Sequence, residues 1–275
     1  MKTWFITGAT RGFGALIMEA VLASGDAVVA TARHPSSIAD HPRLLKLPLD
    51  VTNEGQARDA AARGIEKFGY IDVLVNNAGY GLLGAVEESS AIEVERVFAT
   101  NVFGLLNVTR AVLPYMRERR SGHIVNMSSV GGYAANYPGW GVYCATKFAV
   151  EGISEALSVE LAPLNIHATV VEPGFFRTDF LSAQSLSSTA ARIDDYADTV
   201  GKMRTFAAAA NHQQPGDPQR LAQVIVQLAA ASKPPTRLAL GSDTVARIEG
   251  KHRDVERELD LWRSVSLSTD FRSVT

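Results

Sequence analysis

The sequence of 275 residues contains a single cysteine, Cys144, so the chain cannot form a disulfide bond within itself. Low cysteine content is typical of proteins from a reducing compartment, and we expect a cytoplasmic location. One cysteine and six scattered histidines also offer no zinc-ligand spacing, so no metal site is predicted.

Long apolar runs are missing as well. The apolar runs are strand-length, such as residues 27–30, whereas a membrane span needs about 18 apolar residues. The chain opens directly on a strand-like segment without the pattern of a secretory signal, and we expect no membrane partner. Charge is balanced, with 27 Lys and Arg against 29 Asp and Glu, so no general attraction to nucleic acid is expected.

The composition is that of a globular protein, 46% hydrophobic and 20% charged. The length suits one large domain with a sizeable core. We find no low-complexity linker and no internal repeat, so residues 1–275 are interpreted as a single domain.

Apolar, strand-like segments alternate with helical patterns along most of the chain. The predicted strands are residues 3–7, 27–32, 43–51, 71–79, 123–129, 167–173 and 236–241. The predicted helices are residues 13–24, 57–69, 92–120, 143–162 and 217–231. Strands that are apolar throughout indicate a parallel sheet with helices on both faces. With right-handed crossovers this is an α/β fold, a Rossmann-like doubly wound sheet.

Two segments depart from this alternation. Residues 175–216 mix aromatic residues with Ser/Ala-rich stretches and a weak helical pattern. They follow the carboxyl end of a predicted strand, where ligands of open α/β sheets bind, and we interpret them as a substrate-covering segment. The alternative is a surface excursion without function. Residues 242–275 form a helical tail with charge pairing, interpreted as a solvated helix or a subunit contact.

A glycine-rich turn, TGATRGFG (7–14), separates the first predicted strand from the first helix. Gly8, Gly12 and Gly14 have the spacing Gly-x3-Gly-x-Gly, which differs from the more common fingerprint Gly-x-Gly-x2-Gly. The physical reason is shared, because glycines allow a tight turn and the helix N-terminus offers N–H groups to a pyrophosphate. The loop therefore predicts a dinucleotide site.

The end of the second predicted strand indicates which dinucleotide is bound. Proteins that bind NAD through such a loop carry an acidic residue here for the ribose 2′-hydroxyl. This chain has Ala32 followed by Arg33, and Arg11 in the glycine loop adds a second cation. Two guanidinium groups suit a 2′-phosphate, so NADP(H) is the expected cofactor. Asp50, at the end of the third strand, either meets the adenine amino group or caps the next helix.

A tyrosine and a lysine stand four residues apart in GVYCATKFAV (141–150). Helical spacing puts Tyr143 and Lys147 on one face, which the small Ala145 and Thr146 leave open. A free phenol has a pKa near 10, and a neighbouring ammonium group favours the phenolate. Such a pair suits acid/base chemistry on a carbonyl oxygen, but it also arises by chance, so the other motifs must decide its meaning.

Together the motifs resemble the short-chain dehydrogenase/reductase family, continuously over roughly residues 3–180 and more weakly over 215–241. The matching motifs are TGATRGFG (7–14), DVT (50–52), NNAG (76–79), Asn101 within TNVFG, Ser129 within NMSSVGG, YCATK (143–147) and PGFFRT (173–178). VYCATKF and VEPGFFRTDF are similar to the hydroxysteroid dehydrogenase and carbonyl reductase branch. The resemblance implies an oxidoreductase that interconverts a ketone or aldehyde and an alcohol.

The resemblance implies a role for each member of a catalytic set. Tyr143 is the expected general acid/base, and Lys147 is expected to lower its pKa and hold the nicotinamide ribose. Ser129 is expected to hydrogen-bond the substrate oxygen while Ser128 bonds the backbone; the reverse assignment is the alternative. Asn101 is expected to hold a water molecule in a proton relay.

The same resemblance assigns the cofactor contacts. The turn after the fourth strand is expected to pass the adenosine ribose, Pro173-Gly174 to border the nicotinamide, and Thr178 to bond its carboxamide or a phosphate. Asn76 is interpreted as a structural tie. The full set of expected NADP(H) contacts is Gly8, Thr10, Arg11, Gly12, Phe13, Gly14, Arg33, Asp50, Val51, Asn77, Ala78, Gly79, Tyr143, Lys147, Pro173, Gly174 and Thr178.

Aromatic residues dominate the segments expected to face the substrate, residues 131–140 and the chain after Pro173. The expected substrate contacts are Ser129, Tyr143, Tyr137, Phe175 and Phe180, with Tyr133, Trp140, Phe176 and Leu181 nearby. An aromatic mouth suits a hydrophobic carbonyl compound or alcohol. The alternative is that these rings pack the fold or a subunit interface. Arg177 is interpreted as a cofactor or solvent contact; the alternative is that it selects an anionic substrate.

Alternatives to an NADP(H)-dependent reductase remain open. One is a non-catalytic regulator that senses NADP(H), which the presence of Tyr143, Lys147 and Ser129 disfavours. Another is an NAD-dependent alcohol dehydrogenase of the same family. An epimerase or dehydratase is disfavoured because the chain has little room for a larger substrate domain. The resemblance also implies a homodimer or homotetramer built on the helices near 92–120 and 143–162.

Overall fold

Seven parallel strands form the central sheet of the protein, for which a computed structural model describes residues 1–271. They are β1 (Thr3–Thr7), β2 (Ala27–Ala32), β3 (Leu44–Pro48), β4 (Val73–Asn76), β6 (Gly122–Met127), β7 (Ile166–Pro173) and β9 (Arg237–Leu240). Their order across the sheet is β3-β2-β1-β4-β6-β7-β9. The order reverses direction between β1 and β4, which creates the crevice where such sheets bind ligands. This sheet confirms the predicted Rossmann-like fold class.

Helices alternate with the strands, and local sequence explains where several begin and end. The helices are α1 (Gly12–Ala23), α2 (Glu54–Phe68), α3 (Ala91–Phe98), α4 (Leu105–Arg119), α5 (Gly141–Leu161), α6 (Lys202–Ala210), α7 (Pro218–Ala230) and α8 (Ser242–Leu267). The side chain of Asn53 caps α2, and Gly69 ends it with a φ of +83°, in the left-handed region that favours glycine. Ser90 and Glu93 form a reciprocal capping box at the start of α3.

Both faces of the sheet are covered. Helices α1 and α7 pack on one face, in a core that includes Trp4 and Ile225. Helices α2 and α4 pack on the other, in a core that includes Phe5 and Ile124. Because neither face meets solvent, β1 and β2 are buried at every residue, which explains why they are mostly apolar and carry no charged residue.

The helix predicted at residues 92–120 is continuous but widens in its middle. A π-helical turn at Ala99–Gly104 joins α3 to α4 and contains Asn101. Taken as one helix, Ala91–Arg119 contains a window with a mean hydropathy of 1.2, long and apolar enough by composition to cross a membrane. Of that window, 56% is buried inside the fold, and α4 packs on α2, so the core accounts for its apolar residues.

The covering segment, residues 175–216, is attached to the rest of the protein at several points. Its short strand β8 (Leu186–Ser188) pairs with β5 (Gly81–Leu83). The buried carboxylate of Glu88 accepts hydrogen bonds from the main-chain N–H of Ile193 at 2.9 Å and from Arg204 at 2.6 Å. These bonds to a buried carboxylate anchor the covering segment to the loop that follows β5.

The tail is helical over Ser242–Leu267. Thr244 in the first turn of α8 is buried, whereas residues 251–267 are exposed. Ion pairs within the helix join Asp254 to Arg257 at 2.9 Å and Asp260 to Arg263 at 2.6 Å. The end of the predicted tail, residues 272–275, lies outside the described residues.

Candidate active site

A cleft of about 820 Å³ lies at the carboxyl ends of the central strands. The glycine loop and the chain after β2, β3 and β4 border one side, and the chain after β6 and β7 with the covering segment borders the other. The cleft therefore coincides with the point where strand order reverses, the expected ligand position in a doubly wound sheet.

The glycine loop bends sharply into α1. Gly8 and Gly12 have φ values of +66° and +55°, a region that strains residues with side chains. A Cβ on Gly14 would lie 2.3 Å from the carbonyl oxygen of Gly8, so only glycine lets α1 start so close to the loop. Within the described chain no side chain caps α1, and its first N–H groups remain for a ligand.

The turn after β4 is fixed against this loop. The side-chain nitrogen of Asn77 donates to the carbonyl oxygens of Thr7 at 2.9 Å and Gly8 at 3.2 Å. Asn76, by contrast, donates to Thr109 and Asn126, each at 2.9 Å, which confirms its interpretation as a structural tie. The two segments predicted to bind the dinucleotide therefore form one connected surface.

Nearly all residues predicted to contact the cofactor line the cleft. They are Gly8, Thr10, Arg11, Gly12, Phe13, Arg33, Asp50, Val51, Asn77, Ala78, Gly79, Tyr143, Lys147, Pro173, Gly174 and Thr178. Gly14 lies behind the loop, where it serves the close approach of α1 rather than a direct contact.

The end of the cleft next to β2 is basic. Arg33 follows β2, and Arg96 on α3 lines the same space. Burial raises the pKa of the Tyr80 phenol, and these two guanidinium groups oppose the rise, so both lie near it. Arg11 also lines the cleft, but its guanidinium donates to the main-chain carbonyl and to Oε1 of Gln184 in the covering segment.

Asp50 forms a local turn instead of a helix cap. Its Oδ1 accepts hydrogen bonds from the N–H and hydroxyl of Thr52 at 3.0 and 2.8 Å. The cap of α2 is Asn53. The capping interpretation of Asp50 is therefore wrong, and its position in the cleft leaves the contact with the adenine amino group as the remaining prediction.

Tyr143 and Lys147 lie in the first turns of α5 and line the opposite end of the cleft. Each is 7% exposed. The Lys147 ammonium donates to the main-chain carbonyl of Met127 at 2.8 Å and lies 5.8 Å from the centroid of the Tyr143 ring. The end of β6 thus holds the lysine beside the tyrosine, as helical spacing predicts.

Burial dominates the electrostatics of this pair. Contrary to the expectation that Lys147 lowers it, the pKa of the Tyr143 phenol lies above its ordinary value in the protein alone, because burial outweighs the opposing effect of the Ser129 hydroxyl. Burial also lowers the pKa of Lys147 to about 8, and the carboxylate of Glu151, one turn further along α5, opposes that fall. At neutral pH the protein alone therefore holds a protonated phenol and a protonated lysine.

Ser129 adjoins the tyrosine. A Cβ built on Gly131 would lie 3.6 Å from Ser129 Oγ and 4.0 Å from a ring carbon of Tyr143. The hydroxyl of Ser128 instead lies beside Gly132, where a Cβ would come within 2.5 Å of it. These contacts favour Ser129 over Ser128 as the partner of Tyr143.

The side chain of Asn101 is buried and bonded to protein groups. Its Oδ1 accepts from the N–H of Tyr80 at 3.0 Å, and its Nδ2 donates to the carbonyl of Tyr80 at 2.9 Å and to Thr146 Oγ1 at 3.1 Å. The Asn101 amide therefore links the π-helical turn to Thr146 of α5 and to Tyr80, the residue after Gly79. A relay water at Asn101 would therefore have to bind its main chain.

Aromatic rings surround Tyr143 on the expected substrate side. The ring centroids of Trp140 and Phe180 each lie 5.6 Å from that of Tyr143. Tyr137 and Phe175 meet edge-on at 6.0 Å. These rings pack on one another, as the packing interpretation expects, and they also line the cleft, where contact with a substrate stays a prediction.

Other residues of those segments make different contacts. The ring of Tyr133 lies beneath the guanidinium of Arg237 at 5.2 Å, outside the cleft. Phe176 lines the cleft, where its ring packs edge-on against Phe13 of the glycine loop with the centroids 5.6 Å apart. Arg177 is exposed and donates to the main-chain carbonyl of Gln214 at 3.2 Å, so it does not face a substrate.

Sequence patterns do not reveal some polar residues of the cleft, namely Arg96, Gln184 and Gln214. Arg96 lies four residues before Thr100, another cleft residue, and therefore on the same face of the helix. Following the face of the TNVFG motif back by one turn would have identified it. The two glutamines belong to the covering segment, whose weak periodicity carries no such signal.

Comparison with known proteins identifies a family. The profile of the family described as short chain dehydrogenase matches residues 2–188. The chain is 37% identical to Oxidoreductase BOA17 of Botryotinia fuckeliana, over 98% of this chain and 99% of that protein. It is 40% identical to the 3-ketodihydrosphingosine reductase of Bacteroides thetaiotaomicron, over 86% of each chain.

Solved structures share the fold. A short-chain dehydrogenase from Streptomyces avermitilis has 41% identity and a TM-score of 0.90, covering 98% of this chain and all of that one. One from Burkholderia phymatum in complex with NAD has 26% identity and a TM-score of 0.82, with 94% and 95% covered. ElxO with NADP bound has 27% identity and a TM-score of 0.73, with 89% and 99% covered. These neighbours support a nicotinamide cofactor.

Proposed function

Because the chain belongs to the short-chain dehydrogenase family of oxidoreductases, we propose that it uses NADP(H) to interconvert a hydrophobic ketone or aldehyde and the corresponding alcohol. The observation that carries this proposal is the meeting of Tyr143, Lys147 and Ser129 at the aromatic end of a cleft whose other end is a basic, glycine-lined cradle. Acid/base groups and a dinucleotide cradle in one cleft suit hydride chemistry on a carbonyl carbon.

The residues of the cradle fit NADP(H). Gly14 and Gly8 leave room for a pyrophosphate at the start of α1. Ala32 stands where NAD-binding proteins of this kind have an acidic residue, and Arg33 and Arg11 offer cations for a 2′-phosphate. When bound, the nicotinamide ring supplies or accepts the hydride. The alternative of an NAD-dependent alcohol dehydrogenase keeps the same chemistry with the other cofactor.

Tyr143 acts as the general acid/base of this reaction. In the direction of reduction its protonated phenol donates the proton to the carbonyl oxygen as the carbonyl carbon gains hydride, giving a neutral alcohol. The hydroxyl of Ser129 donates a hydrogen bond to the same oxygen and stabilises its developing charge. The Lys147 ammonium stabilises the resulting phenolate, and oxidation runs the same steps in reverse. A water on the main chain of Asn101 would return the proton.

A hydrophobic substrate is supported by the rings of Tyr137, Phe175 and Phe180 around the reacting end of the cleft. The relative from Bacteroides thetaiotaomicron is named for a keto substrate, which supports a ketone here. The hydroxysteroid dehydrogenase and carbonyl reductase branch suggested by the sequence is part of this proposal.

We further propose a cytoplasmic homodimer or homotetramer. The helices expected to form its interface expose large apolar side chains. Phe103 is 57% exposed, Phe148 45% and Val159 75%. Apolar surface on two neighbouring helices is typical of a subunit contact.

The test is consumption of NADPH, and separately of NADH, followed at 340 nm against hydrophobic ketones and aldehydes. We expect carbonyl-dependent oxidation with NADPH preferred, and Tyr143→Phe should remove it while leaving NADPH binding intact. Turnover by Tyr143→Phe close to that of the wild type would overturn the acid/base assignment. NADPH binding without turnover of any carbonyl compound would favour a cofactor-sensing regulator.

A further inference from the structure

Gln214 in the covering segment is a buried polar residue whose oxygen has no protein partner. The side chain is 3% exposed, and its Oε1 accepts no hydrogen bond within residues 1–271. Gln214 also lines the cleft. Leaving a buried amide oxygen unpaired costs free energy, so a partner in the cleft is expected.

The orientation of the amide is set by Thr178. The Gln214 Nε2 donates to the main-chain carbonyl of Thr178 at 3.5 Å. Only the nitrogen of the amide can donate to a carbonyl, so the oxygen is the end that remains available. The missing partner must therefore be a hydrogen-bond donor.

Gln214 lies at the reacting end of the cleft. Residues 214–216 run beside the chain that follows Pro173-Gly174: the N–H of Gly216 donates to Phe175, and the N–H of Arg177 donates to Gly216, both at 2.9 Å. A few residues on, the ring of Phe180 lies 5.6 Å from that of Tyr143. This is the end where a nicotinamide ring must lie to react.

The hydroxyl of Thr178 supplies a hydrogen-bond donor to complement the Gln214 acceptor. Its Oγ1 accepts from the N–H of Phe180 at 3.3 Å, and within residues 1–271 its own proton is donated to no acceptor. A hydroxyl donor and an amide acceptor on adjacent segments match a primary carboxamide, which has one carbonyl oxygen and one NH2 group. Phosphate groups offer no comparable donor.

We propose that Gln214 Oε1 accepts a hydrogen bond from the NH2 of the nicotinamide carboxamide, beside the contact of Thr178 with the same carboxamide that the family resemblance already implies. This inference rests on the proposed function, since it assumes a nicotinamide cofactor in the cleft. Gln214 would then hold the ring in one orientation and so select the face that reacts.

Binding measured by calorimetry tests the contact without turnover. The probes are NADP⁺, its 3-acetylpyridine analogue, in which a methyl group replaces the NH2, and 2′-phospho-ADP-ribose, which lacks the nicotinamide. Wild-type protein should bind NADP⁺ about fivefold more tightly than the acetylpyridine analogue. In Gln214→Ala this ratio should fall toward one, with binding of 2′-phospho-ADP-ribose unchanged.

Gln213→Ala is the matched control, because Gln213 is the same residue type, adjacent and exposed; it should keep the wild-type ratio. Gln214→Met, which keeps the volume without an acceptor, replaces Gln214→Ala if that variant does not fold. A wild-type ratio near one, or equal weakening of all three probes by Gln214→Ala, would overturn the inference while leaving the proposed function standing. Failure of wild-type protein and Gln213→Ala to bind NADP⁺ at all would overturn both.

Discussion

The carboxylate of Asp243, in the first turn of α8, accepts a 2.8 Å hydrogen bond from the main-chain N–H of Phe175. A Cβ built on Gly174 would lie 2.2 Å from that carboxylate, so a side chain at this point would displace Asp243 from the Phe175 N–H. The helical tail therefore supports the segment that leaves β7 and borders the active-site cleft.

Replacing Asp243 should loosen this segment. Asp243→Ala leaves the Phe175 N–H without its partner, and we expect the free energy of unfolding to fall by about 1–2 kcal/mol. The KM for the carbonyl substrate should rise more than kcat falls, because the residue touches the mouth of the cleft and not the reacting groups. Urea unfolding and steady-state kinetics measure both. Asp254→Ala, on the exposed part of α8, should change neither.

The catalytic and cofactor motifs could be predicted from sequence because their geometry is local. The four-residue spacing of Tyr143 and Lys147 becomes one helical face, and the spacing of the glycines becomes a turn at the start of α1. The contacts of the covering segment could not be predicted in this way. Glu88 meets Arg204 across 116 residues of sequence, and Asp243 meets Phe175 across 68, so tertiary packing alone pairs them.

The sequence predicts the positions of the strands more accurately than their ends. The predicted strand 43–51 ends at Pro48, although Leu49 and Val51 are also buried. These residues are apolar because they pack beneath the turn that enters the cleft, not because they belong to the sheet. Apolar sequence therefore overstates a strand wherever the following loop is part of the core.

Glu88→Ala should detach the covering segment. The carboxylate is buried and accepts hydrogen bonds from Ala85, Ile193 and Arg204. Removing it leaves a largely buried guanidinium without its counterion, with only the Thr189 hydroxyl as a partner, and we expect a loss of about 3–5 kcal/mol in the free energy of unfolding. Limited proteolysis should then cut first within residues 190–204. Glu87→Ala, which loses only an exposed contact with Tyr196, is the control. Equal protease sensitivity of the two variants would contradict this role.

The basic end of the cleft should set cofactor preference. The double variant Arg33→Asp with Arg11→Ser removes two cations and gives the ribose 2′-hydroxyl a carboxylate, so the kcat/KM ratio of NADPH to NADH should fall at least tenfold. Arg33→Asp alone should account for most of the change, because the Arg11 guanidinium is shared with Gln184. An unchanged ratio in the double variant would reject the 2′-phosphate assignment.

His123 should make the protein sensitive to acid. It is buried on β6 and pairs with Thr169 at 2.9 Å. Burial lowers its pKa to about 4 from an ordinary 6.5, with smaller contributions from His167 and Lys2. The unfolded chain therefore binds a proton on this histidine between pH 6.5 and 4 while the folded chain does not, so the free energy of unfolding falls as the pH drops through that window.

The expected loss from His123 alone is about 3 kcal/mol between neutral pH and pH 4. Urea unfolding at several pH values from 7 to 4 measures it as the slope of the free energy of unfolding against pH. His123→Gln should flatten that slope whatever it does to stability at pH 7, because glutamine does not titrate. His167→Gln changes an exposed histidine on the neighbouring strand and should keep most of the wild-type slope. If His123→Gln and wild-type protein lose stability in parallel as the pH falls, the acid sensitivity arises from carboxylates elsewhere and not from the buried imidazole.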